Sequence, residues 1–478
     1  MPKRSRIEDP ETQALIEAGT QSVEWVREEF AQVDLADKRL NRRWVKTAEH
    51  LAQSPLSPIN EACGNWASTQ AAYRLFDNAR ASPHALLAPH VQETTKRMAG
   101  CGGPVLVMQD TVFFSYGKHP HTRGLGPIGK SNKAHDQGLI MHNALAFATT
   151  GVPLGILSQT VWARRAVPEG ESRPEKIERL RCTAIEEKES AKWLVALTET
   201  MARAPAGVAV VTVADRESDF FEFLTHAKDL RASYLIRART DRTLVPEDSE
   251  GCDHMLEALW LAPPLGSLTV AVPGNGGRRA RTATIAVGVA SVTIKPPRRR
   301  GPAQASAASG PVTLTVIGAT ETAPPAGSEA ISWVLLTNLA VPDYASAAEK
   351  VAWYGKRWGI ETWHRPCGRQ CKVLKSGCQV EDCLLETAER LKRTLTLFSI
   401  IGVRLMHVAH LARVQPHTPA AAVFSGEETL PAERLVEALY VRVHNTRRPP
   451  IPSPYEKRCA WSADSADTSG ARAMGSRV

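Results

Sequence analysis

The chain has 478 residues, of which 43% are hydrophobic, so it is long enough for two or three domains with buried cores. Its formal net charge of +9 and isoelectric point of about 9.1 favour a polyanionic partner such as nucleic acid, although solubility alone also explains a charge of this size. No stretch reaches the roughly 18 apolar residues of a membrane span, and the first residues lack the apolar segment of a secretory signal, so we expect a cytoplasmic protein without membrane contact.

Two basic helices are predicted near the N-terminus. Apolar residues recur at helical spacing from Ser22 to Gln53 and again from Glu61 to Phe76, and S-P-L-S-P at 54–58 separates the two segments. One side of the first helix collects basic residues, among them Arg42, Arg43 and Lys46. Two basic helices joined by a turn are typical of helix-turn-helix DNA-binding proteins, whereas the alternative is the solvated charged face of a helical bundle.

The middle of the chain has the pattern of a mixed α/β domain. Buried strands are indicated by continuous apolar runs that are rich in β-branched residues. The predicted strands are Val105–Asp110, Gly138–Ala148, Gly155–Ala163, Val208–Ala214 and Ser233–Arg237, and the predicted helices are Arg173–Met201 and Ser218–Ala227. His142 lies within the second of these strands, where a hydrogen-bonded core histidine is expected.

The pattern changes between residues 241 and 330. Short apolar runs there alternate with turns rich in Gly, Pro and Arg, which predicts an all-β insertion. Its strands are expected at Leu268–Val272, Thr282–Val289, Val292–Ile294 and Val312–Ile317, and K-P-P-R-R-R-G-P at 295–302 is expected to be an exposed loop that either contacts phosphate or is simply solvated.

After the insertion, a strand over Ser332–Asn338 returns to the core. A long helix is then predicted from Ala345 through Glu361, and a core helix over Thr387–Leu411. Residues 461–478 are small, polar and unpatterned, so a disordered tail is expected.

Three acidic residues stand in unusual positions in this pattern. Asp110 lies in an apolar strand, Asp215 ends another, and Glu361 follows Arg357 by four residues on a helix. A carboxylate in a buried strand is costly unless it binds something, although Asp215 also suits a helix N-cap and Arg357–Glu361 also suits an ordinary surface pair. Acids on two strands and a helix are able to converge and hold two divalent metal ions roughly 3.5–4 Å apart, as in phosphoryl transfer.

Eight phrases run in one order along the chain and resemble a known family. They are V-D-L-A-D-K-R-L-N-R-R (33–43), A-C-G-N-W-A-S-T-Q-A-A-Y-R-L-F-D-N (62–78), Q-D-T with S-Y (109–116), E-K-E-S-A-K-W-L (187–194), V-A-D-R-E-S-D (213–219), Y-L-I-R-A-R (234–239), W-V-L-L-T-N (333–338) and Y-G-K-R-W-G-I-E (354–361). Together they resemble the DDE transposases of the bacterial insertion-sequence-four family, close to the Tn-five type, over about residues 23–395.

The resemblance implies a catalytic triad and a fold. Asp110, Asp215 and Glu361 would be the catalytic residues and would hold two Mg²⁺ ions, with Mn²⁺ as a substitute. The core would be RNase H-like, as in retroviral integrases, an order that also fits three antiparallel strands followed by a helix and a parallel strand. The implied domains are 1–80 for binding DNA ends, 100–240 and 331–395 for the two parts of the core, 241–330 for the β-rich insertion, and 396–478 for a C-terminal helical region with a degraded tail.

The resemblance also implies a reaction and its DNA contacts. The enzyme would act on double-stranded DNA, at the inverted-repeat ends of an element and at the target, by nicking, hairpin formation, hairpin opening and strand transfer within a homodimer. DNA contacts would come from Trp333 and Trp358 around a flipped base, from Tyr354, Arg357 and Lys375 at phosphates, from Arg237 and Arg239 at a strand end, and from the N-terminal basic residues.

The chain departs from the family pattern in two places. Gly368 stands where the family has a lysine, and Lys375 takes that place only if Arg365–Cys371 is regarded as an insertion. The tail after Pro454 also lacks the family's C-terminal dimerisation helix. These departures motivate an alternative, a catalytically impaired end-binding protein that acts as a transposition inhibitor or is a decayed copy. A metal nuclease acting on other nucleic acid is a third hypothesis.

A zinc site is a further alternative near the insertion. It would use His364, Cys367, Cys371 and Cys378, but their spacing is not that of a zinc finger or ribbon. An inserted stretch that binds no metal is the preferred interpretation.

Overall fold

The computed structural model describes residues 24–55, 57–129, 133–166, 170–246, 251–272, 281–297, 310–325, 327, 330–364, 374–375, 378 and 380–414. The Arg365–Cys371 insertion, most of the basic loop at 295–302 and the C-terminal tail lie outside these residues. The zinc hypothesis lies outside them too, because Cys378 is the one proposed ligand whose side chain is described.

The N-terminal segment is helical, as predicted, but its helices are shorter than expected. They are α1 (Glu24–Glu29), α2 (Lys38–Gln53), α3 (Ile59–Ala62), α4 (Trp66–Asp77) and α5 (Pro83–Ala99). The prediction of one helix from Ser22 to Gln53 is wrong, because Asp37 caps α2 by accepting the N–H groups of Arg39 and Leu40 while Ala36 has a φ of 55°. The second predicted helix is also interrupted, because Gly64, with a φ of 71°, follows the end of α3. Helix α5 has no counterpart in the sequence prediction.

The described strands form one mixed sheet of ten strands. They are β1 (Val105–Ser115), β2 (Gly126–Pro127), β3 (Gln137–Ala148), β4 (Pro153–Trp162), β5 (Val210–Ala214), β6 (Ser233–Arg237), β7 (Pro264–Val272), β8 (Arg281–Ile294), β9 (Val312–Glu321) and β10 (Ser332–Thr337). Strands β2 and β4 both pair with β3, and the order continues from β3 through β1, β5, β6, β10, β9 and β8 to β7. The β1–β5 and β5–β6 pairs are parallel and the others are antiparallel.

Seven further α-helices are described after β4. They are α6 (Arg173–Cys182), α7 (Ala191–Arg203), α8 (Phe221–Asp229), α9 (Met255–Leu261), α10 (Tyr344–Gly355), α11 (Trp358–His364) and α12 (Ala388–Val414). The expected single helix over Arg173–Met201 is interrupted between α6 and α7. The expected all-β insertion at 241–330 is wrong in composition, since this segment contains α9. Its strands β7, β8 and β9 belong to the same sheet as the other strands.

The sheet has helices on both faces. Leu106 and Met108 of β1 pack in one apolar cluster with Leu391 and Phe398 of α12 and with the N-terminal helices. The other face meets α7, α8 and α9 in a second cluster, with Trp193 and Phe223 among its fully buried side chains. Burial on both faces explains why the core strands appear as continuous apolar runs.

Buried polar contacts join the N-terminal helices to the rest of the molecule. Arg393 of α12 is buried, and its guanidinium donates to the carbonyl oxygens of Phe76 (2.8 Å) and Ala81 (3.0 Å), just at and after the end of α4. His90 of α5 accepts the N–H of Ile156 in β4 at its Nε2 (2.9 Å) and contacts Glu29 of α1 through Nδ1. These contacts attach the end of α4 to α12, and α5 with α1 to β4.

Candidate active site

Asp110 on β1 and Asp215, the residue directly after β5, lie next to each other at one edge of the parallel strand pair. In the parallel pairing of β1 with β5, Met108 is opposite Val213. Asp215 follows the last residue of β5 in an extended conformation, so continuing the register by two residues brings it next to Asp110. Adjacent strands are about 4.8 Å apart, and residues an even number apart on a strand share a face. Both carboxylates therefore lie on the face that carries Met108 and Val213 and packs in the cluster with α12.

The carboxylate of Asp215 is stabilised by little except one backbone donor and one cation. Its side chain accepts the N–H of Glu217 (2.9 Å) at the start of a short 3₁₀ turn, so the predicted capping role is confirmed locally. Burial and the neighbouring Asp110 carboxylate raise the pKa of Asp215 to about 6, against the opposing effect of Arg357. A raised carboxyl pKa in a polar cluster is typical of functional sites.

Arg357 links the acids on the sheet to the acid on the helix. The expected continuous helix through Glu361 is wrong: α10 ends at Gly355, and Lys356 with Arg357 forms a turn before α11 begins. This turn buries Arg357, whose Nη2 lies 2.5 Å from Oε1 of Glu361 and whose Nη1 lies 4.0 Å from Oδ1 of Asp110. Burial acts to lower the pKa of Arg357, but Tyr354 and the three acids outweigh it and raise that pKa. Arg357 is buried and Glu361 is partly buried, so the alternative of an ordinary surface pair is wrong.

Helix α11 approaches the sheet closely at Gly359. A Cβ atom at this position would lie 2.9 Å from the Phe147 ring on β3, which is closer than side chains tolerate. The missing side chain therefore allows α11 to pack closely on the sheet, which brings Arg357 and Glu361 towards Asp110 on β1.

The donor groups of this cluster suit a hard divalent cation. Carboxylate oxygens are the ligands that Mg²⁺ and Mn²⁺ prefer, and the crowding that raises the pKa of Asp215 would be relieved by a bound cation. Within the described ranges, however, no group of three or more His, Cys, Asp or Glu side chains is arranged to hold a metal ion. The expected shared site for two metal ions stays a prediction.

An aromatic and basic wall adjoins the acids. The rings of Trp333 and Tyr354 meet edge to face at 5.4 Å, and the Arg357 guanidinium lies 5.9 Å from the centre of the Tyr354 ring. Trp333 is only partly buried, whereas Tyr354 is buried, and burial raises the Tyr354 pKa. Arg237 at the end of β6 donates to the carbonyl oxygen of Ser332 (3.2 Å), and burial lowers the pKa of this arginine.

The other expected DNA contacts are placed differently. The Arg239 side chain is exposed, while its backbone N–H donates to Asp219 (2.6 Å). Lys375 is paired with Glu381 (2.9 Å) and lies over the Phe114 ring, beyond Asp110 on β1. The side chain of Trp358 lies outside the part of the chain that the structure describes.

Sequence reasoning missed two polar residues that continue the row of acids across the sheet. Asn143 on β3 is opposite Asp110, and Gln159 on β4 is opposite Asn143. Asn143 is fully buried and its Oδ1 accepts the Nε2–H of Gln159 (2.9 Å). The signal that was available is an amide in an otherwise apolar strand, Gly138–Ala148, at the position adjacent to His142.

His142 itself is a core residue, as predicted. It points to the opposite face from Asn143, is buried, and contacts Thr111 (2.9 Å) and Gln109 (3.3 Å) through its two ring nitrogens. The ring also packs edge to face on Trp193 of α7.

The N-terminal helices present the expected basic surface. Arg42, Arg43 and Lys46 of α2 are all exposed, on the side of the helix away from buried Trp44 and Ala48. A family model described as transposase DNA-binding matches residues 22–81, which include these helices. Residues 22–81 are therefore similar to transposase DNA-binding domains, which supports DNA as a partner. Among the helices that the structure describes, none combines the length and apolar character needed to cross a membrane.

Proposed function

We propose that the chain is a cut-and-paste DNA transposase of the DDE type, which binds the ends of a transposable element and breaks and joins phosphodiester bonds there. The observation that carries the proposal is the placement of Asp110 beside Asp215, facing Arg357 and Glu361, in a chain whose residues 22–81 match a transposase DNA-binding domain. The similarity to the insertion-sequence-four family supports the same assignment.

An RNase H-like core is part of this proposal. The strand order β4-β3-β1-β5-β6, antiparallel as far as β1 and parallel beyond it, supports that description. In this view β7, β8 and β9 belong to an insertion that lengthens the sheet on its far side.

Asp110, Asp215 and Glu361 are the residues that would hold two Mg²⁺ ions, or Mn²⁺ in their place. Bound cations would neutralise phosphate charge and activate the attacking water or 3′-hydroxyl. Glu361 is paired with Arg357, so its carboxylate has to leave the guanidinium before it binds a cation. Arg357 is then available to a DNA phosphate, for which its planar fork is well suited.

The aromatic wall suits a base that has left the DNA stack. Formation of a hairpin at a DNA end requires an unstacked base, and aromatic side chains bind such bases by stacking. Trp333 is partly exposed beside Tyr354 and Arg237, which supports a role in holding the base while the end closes. Synapsis of two ends by a homodimer completes the proposal.

The test is cleavage of a labelled duplex that carries the terminal inverted repeats flanking the gene. With Mg²⁺ or Mn²⁺ the chain should produce nicked, hairpin and strand-transfer products, and Asp110→Ala should remove all three while leaving DNA binding intact. Cleavage that persists in Asp110→Ala would assign the reaction to other residues or to a contaminant.

One observation favours a second candidate, an end-binding protein that does not cleave. The ion pair between Arg357 and Glu361 occupies the carboxylate that the reaction needs, and the described residues form no three-ligand metal group. In the same assay this candidate predicts a DNA complex without any cleaved product, and competition with an active transposase for the ends.

A further inference from the structure

The polar row across the sheet does not end at the acids. Three side chains on neighbouring strands share one face at one level: Asp110 on β1, Asn143 on β3 and Gln159 on β4. Asp215, the residue directly after β5, continues this row beyond Asp110. The residues above and below Asn143 on this face are Met141 and Leu145, both fully buried and apolar. A buried amide at this level is costly unless its hydrogen bonds are made.

The contact with Gln159 fixes the orientation of the Asn143 amide. Gln159 donates its Nε2–H to Oδ1 of Asn143, so the acceptor end of Asn143 is turned towards β4. The NH₂ group of the same amide is then on the side of β1, where Asp110 is the residue directly opposite. Directly opposed side chains in an antiparallel pair have Cβ atoms about 4.5–5.5 Å apart, which is within hydrogen-bonding reach for an amide and a carboxylate.

The hydrogen bonds of the Gln159 side chain are consistent with a role in orienting Asn143. The carbonyl oxygen of its side chain is buried and has no hydrogen-bond partner among the described residues, so the bond to Asn143 is the one described contact that holds the amide. The energetic cost of this unpaired oxygen is explained if the donor group of Gln159 has to orient Asn143.

We propose that Asn143, oriented by Gln159, is a positioning residue for the Asp110 carboxylate. Its NH₂ group donates to one oxygen of Asp110, which fixes the orientation of that carboxylate beside Asp215. This inference rests on the proposed function, because it gives Asn143 the part of an outer partner to a metal-binding carboxylate. Loss of such outer partners typically lowers metal affinity about 10–100-fold.

The experiment measures Mn²⁺ binding to the intact chain by the loss of the free-ion electron paramagnetic resonance signal. Asn143→Leu preserves the size of the side chain and removes the donor, so the dissociation constant for Mn²⁺ should rise at least about tenfold. Gln159→Leu should raise this dissociation constant less. The double variant should bind Mn²⁺ no more weakly than Asn143→Leu alone, because both changes act on the same chain of contacts from Gln159 through Asn143 to Asp110.

The matched control is Thr111→Val. Thr111 follows Asp110 on β1, is buried, and contacts His142 on the opposite face of the sheet. This isosteric change also removes a buried hydrogen bond, so its effect on thermal stability should be comparable, but it should leave Mn²⁺ binding unchanged. Equal loss of Mn²⁺ affinity in Thr111→Val and Asn143→Leu would overturn the proposal, because it would mean that general destabilisation is the cause.

Asp110→Asn separates failure of this inference from failure of the proposed function. If Asp110→Asn abolishes Mn²⁺ binding while Asn143→Leu binds as the unmodified chain does, the positioning role is wrong and the metal-binding acids stand. If Asp110→Asn binds Mn²⁺ as well as the unmodified chain does, the metal-dependent part of the proposed function is wrong, and with it the role of Asn143.

Discussion

At the scale of the residue, Asp215 is held where its negative charge is unfavourable. Burial and Asp110 raise its pKa from the ordinary value of 3.8 to about 6. A carboxyl group whose pKa is higher in the folded chain than in the unfolded chain binds its proton more tightly when folded, so ionisation destabilises the fold. That cost is absent below the unfolded pKa and is complete above about pH 6.

Asp215→Asn should therefore stabilise the protein above pH 6. The raised pKa corresponds to about 1–3 kcal/mol of unfolding free energy at pH 8, and the gain should disappear as the pH falls towards 4. Denaturant unfolding at pH 8 and pH 4 measures this difference in unfolding free energy. Asp229→Asn, on the exposed end of α8, is the control, and its unfolding free energy should differ little from that of the unmodified chain. A variant less stable than the unmodified chain at pH 8 would contradict the unfavourable charge.

At the scale of the element, the placement of α11 depends on a glycine. Gly359→Ala should bring its Cβ atom against the Phe147 ring, displace α11 and cost roughly 1–3 kcal/mol, partly offset by the higher helix propensity of alanine. The cleavage rate of a DNA end should fall together with the unfolding free energy. Adding Phe147→Leu to the Gly359→Ala chain should restore part of the stability and part of the cleavage rate. Unfolding experiments and the cleavage assay measure the two effects.

Gly355→Ala is the matched control for that prediction. A Cβ atom at Gly355 meets nothing within 4 Å, so this variant should be neutral or stabilised by up to about 1 kcal/mol. If the two alanine variants behave alike, contact with Phe147 does not set the position of α11.

Helix α2 carries a second prediction at this scale. Arg42→Glu combined with Arg43→Glu should abolish the gel shift of an end duplex in metal-free buffer at ordinary salt concentration. Any binding that returns at lower salt should depend less steeply on salt concentration, because each lost phosphate contact lowers the slope by about 1. Lys176→Glu with Arg181→Glu on α6 makes the same change in net charge at two exposed positions and should bind normally. An unchanged shift in the α2 variant would place DNA recognition elsewhere.

At the scale of the whole molecule, the buried guanidinium of Arg393 fixes the DNA-binding helices relative to the sheet. Arg393→Gln removes donors from the carbonyl oxygens of Phe76 and Ala81 and should destabilise the protein by roughly 1–3 kcal/mol. A looser attachment should reduce the cleavage rate of a bound DNA end more than it reduces DNA affinity, which gel shifts and single-turnover cleavage measure separately.

Arg390→Gln tests whether burial matters in that attachment. Arg390 pairs with Asp77 close to the same place, but Asp77 is exposed, so this change should cost no more than about 1 kcal/mol. Equal losses of affinity and cleavage in Arg393→Gln would indicate general destabilisation and not a role in alignment.

The sequence by itself determined where most helices and strands lie and which acidic residues are candidates for a functional site. Apolar runs such as Val208–Ala214 predicted buried strands, and the structure places β5 there. Such predictions succeed because hydrophobic periodicity and strand propensity depend on residues that are close in sequence. The basic helical segment was also predicted, and the family match to residues 22–81 agrees with it. Asp110 and Asp215 stood out because a charge in an apolar strand needs a reason, while their grouping with Glu361 came from the family resemblance.

The tertiary structure alone decided which of these residues meet. The register that brings Asp110 next to Asp215 joins residues more than one hundred positions apart, and the same pairing adds Asn143 and Gln159 to the row. The turn at Arg357, which local periodicity assigned to a continuous helix, exists because its guanidinium is buried against acids on other elements. Contacts of this kind depend on packing and charge across the folded chain, and no local pattern contains them.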